Sequence, residues 1–318
     1  MTLSLIAPLL EHDLGEALVD RSARVPLRAL LNRLPLLGSG GFEVLLGGRK
    51  GPVGFSVRAT AEELGEIGEA GGPQIRDFLR ARSAEESLSR GVRETWLEWD
   101  DVAGSAQPNF FFRLEPPLGR PVFAAATLDA IERALLSLGL PRSETSRDAL
   151  RHCIAGMPAP ACARFIGVML ARGETACRVT IAHMPLDELT AGLRRMGWTG
   201  DRQPVIALAR TLRPHLASSV LHLDIGESVF PRLGFEIPLL DALLIDRGLM
   251  TSSEAEALRA WPLALHAASS PDWPAALHAN TFVRAVNHIK LTLDPFPSAK
   301  AYLAFSCGST FPHPRSWA

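Results

Sequence analysis

The 318-residue chain contains a single tyrosine, Tyr302, and four cysteines, and only three of its 33 basic residues are lysines. Cys153, Cys162, Cys177 and Cys307 show no CxxC or other metal-ligand spacing, and so few in a chain this long do not make a disulfide framework. A reducing cytoplasm is the expected setting. No apolar run is long enough to cross a bilayer. The first ten residues are apolar but lack a basic flank and run directly into Glu11 and Asp13, unlike a signal peptide. A formal net charge of −1 supplies no global field, so neither nucleic acid nor a membrane is an expected partner, and any basic site is local. The run Gly38-Ser39-Gly40-Gly41 precedes a strand instead of following one and opening a helix, which excludes dinucleotide and P-loop readings.

What is present is alternation. Five hairpins are predicted: Phe42 to Thr60, Glu94 to Glu115, Arg164 to Ala182, Val220 to Ile237 and Asn287 to Ser306. Each sets apolar residues on one face against polar ones on the other. In the fourth, Leu221, Leu223 and Ile225 oppose His222 and Asp224; after the turn, Leu233, Phe235 and Ile237 oppose Arg232, Gly234 and Glu236. The second strand of every hairpin places one cation on the polar face: Arg58, Arg113, Arg178, Arg232 and Lys300.

Between the hairpins the pattern is helical. Thr127 is expected to cap a helix through Leu136, Ser143 or Ser146 another through His152, and Thr251-Ser252-Ser253-Glu254 reads as a capping box. Pro185-Leu186-Asp187-Glu188 is expected to open a helix that stops at Gly197. Residues 13–33 read as a helix broken at Pro26, and residues 61–82 as one broken at Gly71-Gly72-Pro73. Hairpins recur roughly every 55–70 residues, the spacing of repeat architectures. Five helix-strand-strand units give about ten antiparallel strands, which curl and close. The predicted fold is α+β: a closed antiparallel ten-stranded barrel with helices outside, spanning residues 1–318 as a single domain with a loose tail over 308–318 that holds Pro312, Pro314 and Trp317. Two α+β domains divided near residue 155 fit the same alternation.

Over residues 13–306 this architecture resembles the ABBA prenyltransferases, whose barrel consists of five αββα units with strands inside and helices outside. Glu43 with Phe55-Ser56-Val57-Arg58, and Glu98 with Phe112-Arg113-Leu114-Glu115-Pro116, are similar to the family's strand glutamate and its Val-Arg-x-x-x-Glu-Pro segment. The resemblance implies transfer of an allylic prenyl group from its diphosphate to an aromatic or peptide side-chain acceptor inside the barrel. Family members build a cation shield largely from tyrosines, and here there is one. That scarcity makes the cyanobactin-type branch, which is similar in length, modifies peptides and uses Mg2+, the nearer analogy.

On that resemblance the diphosphate is expected on Arg58, Arg113, Arg178, Arg232, Lys290 and Lys300, because cations are needed where leaving-group charge develops. Glu43 or Glu98 would orient the acceptor and take its proton. Trp96, Phe111, His222, His288 and Tyr302 would shield the allylic cation. Asp224 and Glu236, beside His222, are the candidate metal ligands. The structural alternative pairs Arg58 with Glu43, Arg113 with Glu98 and Arg232 with Glu236. Two other functions remain open: a barrel that binds a peptide or anion without transferring anything, and a different peptide modification on the same fold.

Overall fold

The computed structural model describes residues 1–11, 14–49, 51–60, 71–105, 107–119, 125–271, 273–294 and 296–308, together with 63, 65 and 67. Of the expected tail over 308–318, Gly308 belongs to the last strand, and the remainder, with Pro312, Pro314 and Trp317, lies outside the described residues. The first two hairpins supply β1 (Ser39–Leu45), β2 (Gly54–Ala59), β3 (Val92–Trp99) and β4 (Asn109–Gly119). The next two supply β5 (Cys162–Val168), β6 (Cys177–Pro185), β7 (Ser218–Ile225) and β8 (Val229–Ile237). After a short β9 (Leu263–His266) come the two longest strands, β10 (Thr281–Asp294) and β11 (Phe296–Gly308).

The strands form one antiparallel sheet in the order β11-β1-β2-β3-β4-β5-β6-β7-β8-β10, and β11 also pairs with β10, so ten strands close into a barrel. Closure leaves none of the ten with an open edge, the arrangement a sheet this wide favours. The sheet passes residue 155 without interruption because β4 pairs with β5, so the strands do not divide into two sheets there. β9 was not expected from the sequence; it pairs with Thr281–Arg284 at the start of β10, outside the ring.

The apolar residues of each strand point outward and bury themselves under helices. Phe78, on the helix Pro73–Ala84, packs edge-on against Phe110 of β4 at 4.8 Å between ring centroids. Trp261, just past the helix Ser252–Ala260, meets Phe42 of β1 at 5.9 Å. The core is therefore the shell between barrel and helices, and the lumen is free for polar residues.

Several local signals hold. Ser143 accepts a hydrogen bond from the Ser146 amide, and Thr251 and Glu254 form a complete capping box. The Glu254 carboxylate also accepts from the amides of Gly47 and Gly48 in the β1–β2 turn, at 3.0 Å each, which fastens that turn to the helix. Others are corrected. Pro26 lies inside the helix Arg21–Arg33 without breaking it; the helix begins after Asp20, whose side chain accepts from the Ser22 amide. Pro185 is the last residue of β6, paired with Ser218, and the helix that follows starts at Leu189. Thr127 is no cap, because the helix already begins at Ala125 and Thr127 is buried within it.

Candidate functional site

One hydrogen-bonded row runs through Ser306, Ser39, Arg58, Trp96, Phe111, Gly167, Arg178 and Asp224, one residue per strand. Barrel strands are tilted, so such a row climbs as it passes round the wall. Cations that occupy equivalent places in successive hairpins therefore sit at different heights.

The lumen contains a cavity of about 720 Å³ of empty space, counted to its open mouth, a size in the range of small-molecule sites. Trp96, Phe111, Phe165 and Tyr302 give it aromatic walls, while Glu98, His222, Glu236, His288 and Lys290 give it polar ones. Small side chains leave the room. Gly167 is covered by the Phe111 ring so closely that a Cβ there would lie 2.3 Å from it, and at Gly234 a Cβ would crowd His222 and Lys290 at 3.2 and 3.3 Å.

The charged groups divide into paired and unpaired. Glu43 on β1 accepts hydrogen bonds from the Lys300 ammonium and the Tyr302 hydroxyl, both on β11. Burial pushes its carboxyl up, but Lys300 and Lys290 more than offset this and hold it below the ordinary range, while burial and Glu43 hold the Tyr302 phenol well above its own. Arg178 grips Asp224 with two hydrogen bonds of 2.7 and 3.0 Å, and both side chains are under 10% exposed. Further up the wall Arg172 grips Asp100 in the same bidentate way.

Glu98 and Lys290 make no ion pair among the described residues. Burial, followed by the neighbouring Glu43 charge, raises the Glu98 carboxyl to about 7. Burial, followed by the Arg178 charge, lowers the Lys290 ammonium to about 8. The Lys290 amine stands over the Tyr302 ring, 5.8 Å from its centroid. His222 is held by Glu236 through Nε2 at 2.6 Å and by Thr180 through Nδ1 at 3.2 Å, and burial keeps it well below the usual imidazole range. His288 stacks on Tyr302 at 4.3 Å, and burial lowers it to about 4.

Of the expected site residues, Glu98, Glu236, Lys290, Trp96, Phe111, His222, His288 and Tyr302 line this cavity; Glu43 and Arg178 act on Glu98 and Lys290 electrostatically, and Lys300 acts on Glu43. Arg58 and Arg113 are not among its lining residues: Arg113 lies 3.5 Å from Glu94, which also accepts from the Trp96 indole. Arg232 acts on Asp224. The expected pairings are thus replaced: Glu43 takes Lys300 in place of Arg58, Arg113 takes Glu94 in place of Glu98, and Glu236 takes His222 in place of Arg232.

Asp224 and Glu236 do not suit Mg2+. Both Asp224 oxygens are occupied by a guanidinium, Glu236 is held by an imidazole, and no three His, Cys, Asp or Glu side chains converge among the described residues. The cysteines offer no thiolate: burial pushes Cys153 up to about 12 and Cys307 to about 11.

Sequence alternation missed Phe165 and Asn287, both of which line the cavity. Each lies at an irregularity in strand pairing, Phe165 after the shift from Ala163 and Asn287 between Val286 and His288, where simple period two fails. Thr180 and Ser56 were legible by parity but carry no distinctive chemistry.

No described helix is long and apolar enough to cross a membrane. No family model matches this chain, and no curated protein matches it significantly. Solved structures do. A 6-dimethylallyl tryptophan synthase matches with TM-score 0.55 and 15% identity over 95% of this chain and 96% of that one. The prenyltransferase PriB in its apo form matches with TM-score 0.57 and 14% identity over 96% of each chain. AnaPT from Neosartorya fischeri matches with TM-score 0.55 and 10% identity over 98% of this chain and 94% of that one. At such identities the likeness is one of fold, and the chain has the closed ten-stranded prenyltransferase barrel with its helices outside.

Proposed function

We propose that this protein is a prenyltransferase that moves an allylic group from its diphosphate to an aromatic or peptide side chain held in the barrel. One observation carries the reading: Lys290 and Glu98, both without an ion-pair partner among the described residues, share an aromatic-walled cavity inside a closed barrel. PriB, of the same fold, has also been solved as a binary complex with product diphosphate.

Chemically, the allylic C–O bond breaks and its electron pair leaves with the diphosphate. Lys290, supported by Lys300 and Arg178, stabilises that charge where it develops. Trp96, Phe111 and Tyr302 present π faces to the cationic fragment and keep water away. The acceptor ring attacks the allylic carbon, and Glu98, poised near neutrality by its burial, takes the proton that the acceptor releases. Glu43 is engaged by Lys300 and Tyr302, so its role is to fix those two groups.

A second reading has its own support. Lys300, Arg113 and Arg178 each meet a carboxylate, so much of the cationic charge is already neutralised. That favours a barrel that binds a peptide or a small anion without transferring anything. Incubation with dimethylallyl diphosphate and a panel of indoles, phenols and aromatic peptides, followed by mass spectrometry, separates the two. A prenylated product supports transfer. Absence of product together with absence of diphosphate binding overturns it.

A further inference from the structure

Lys290 is set apart by what its neighbours in the wall do. Across β10–β11 it meets Lys300 in register, and across β8–β10 it meets Glu236. Both are engaged elsewhere: Lys300 donates to Glu43, and Glu236 Oε1 lies 2.6 Å from His222 Nε2. The Lys290 amine is therefore left without an ion-pair partner among the described residues, half-buried and open to the cavity. Its stem has room because Gly234 lies beside it, where a Cβ would come within 3.3 Å of Lys290 Cε.

A lysine so placed is a nucleophile as well as a charge. Burial, then the Arg178 charge, disfavours its ammonium, while Glu43, Glu98 and Glu236 favour it, and the balance stands at about 8. Near pH 8 about half of it is neutral amine, against less than about 1% of an ordinary lysine. Desolvated amines of this kind form imines with carbonyl compounds. Condensation also needs an acid to release water, and Glu98, raised to about 7, lines the same cavity. Trp96, Phe111 and Phe165 supply flat apolar walls, so the carbonyl that suits the site is one attached to an aromatic ring.

We propose that Lys290 is a covalent site for aromatic aldehydes, which it holds in the lumen as a reversible imine. The amine lone pair attacks the carbonyl carbon, the C=O π pair moves to oxygen, and a proton passes from nitrogen to that oxygen to give a carbinolamine. Glu98 in its acid form protonates the hydroxyl, the C–O bond breaks, water leaves, and the nitrogen lone pair closes the C=N bond. The resulting iminium charge is balanced by the Glu98 carboxylate, and nothing is oxidised or reduced. The site does not depend on prenyl transfer. It makes aldehydes competitors of diphosphate, because one amine cannot hold both.

The chain has three lysines, Lys50, Lys290 and Lys300, so the modified one is read directly by peptide mass. Wild type is treated at pH 8 with benzaldehyde or with propanal, each with sodium cyanoborohydride, which reduces an iminium to a stable secondary amine. Benzaldehyde is expected to label Lys290 about tenfold or more faster than Lys50 or Lys300, since far more of Lys290 is neutral. Propanal, which lacks the ring, should show a smaller preference, and both preferences should vanish in concentrated urea. Glu98→Gln should slow the labelling of Lys290 while Lys50 keeps its rate. Equal labelling of the three lysines in wild type, a preference that survives urea, or equal selectivity for propanal and benzaldehyde overturns the proposal. Inorganic diphosphate should slow the labelling of Lys290 if that amine also holds the leaving group. Labelling indifferent to diphosphate would overturn that part of the transferase reading and leave the imine site standing.

Discussion

Arg178 and Asp224 face each other across the β6–β7 boundary as direct neighbours in register, joined by two hydrogen bonds and nearly excluded from solvent. Breaking such a pair from one side strands a charge in the wall, which costs about 3–5 kcal/mol, whereas replacing both partners by apolar groups is far milder. Arg178→Met is therefore expected to destabilise the protein by that amount, and Arg178→Met with Asp224→Leu to recover most of it. Urea denaturation of the two variants checks this.

Among the described residues, Lys290 is the one Lys or Arg lining the cavity. If it carries leaving-group stabilisation, Lys290→Met should lower kcat by about 10²–10³-fold. It should also weaken diphosphate binding, read by displacement of a fluorescent analogue, while the melting temperature holds or rises because a buried charge has been removed.

The pH dependence follows from two groups. Glu98 must be deprotonated to receive a proton and is raised to about 7; Lys290 must be protonated to hold the diphosphate and is lowered to about 8. Turnover should rise as pH passes 7 and fall as it passes 8, a narrow bell whose limbs belong to the coupled pair. Glu98→Gln should lower kcat by about 10²–10⁴-fold and remove the acid limb. Lys290→Arg should retain partial activity and push the alkaline limb outward. For stability, the raised Glu98 contributes fully below its unfolded value of 4.5 and the contribution is lost as pH rises through about 7. Glu98→Gln should flatten that part of a thermal-stability profile.

Glu254 accepts from the amides of Gly47, Gly48 and Thr251 at once. Glu254→Ala leaves those donors without their partner and removes half of a capping box, so a loss of about 1–3 kcal/mol is expected. Hydrogen exchange should quicken first at Gly47 and Gly48, with little change in KM.

Much of the fold was legible because period-two alternation survives over most of each hairpin, and because Ser143 and Thr251 cap helices by local chemistry alone. Pro26 and Pro185 misled because proline reports a missing donor, not a boundary; a helix tolerates that loss in one place and a strand end in another. The candidate site was legible in parity and illegible in height. Arg58, Arg113 and Lys300 share a face by sequence, yet none of the three lines the cavity although their register neighbours Trp96 and Phe165 do: Arg113 turns to Glu94 and Lys300 to Glu43. Asn287 and Phe165 were hidden by local breaks in register, which no count of alternating residues can place.

The pairing of β1 with β11 bears on how the protein is made. Ser39 meets Ser306, so the ring cannot shut while the last strand is still within the ribosome, and until then β1 and the growing end of the sheet both expose open edges. Contacts of such long sequence separation form slowly, and unpaired edges recruit other chains in the meantime. Shortening the chain from its C-terminal side by even one strand should therefore turn a closed barrel into an aggregating sheet.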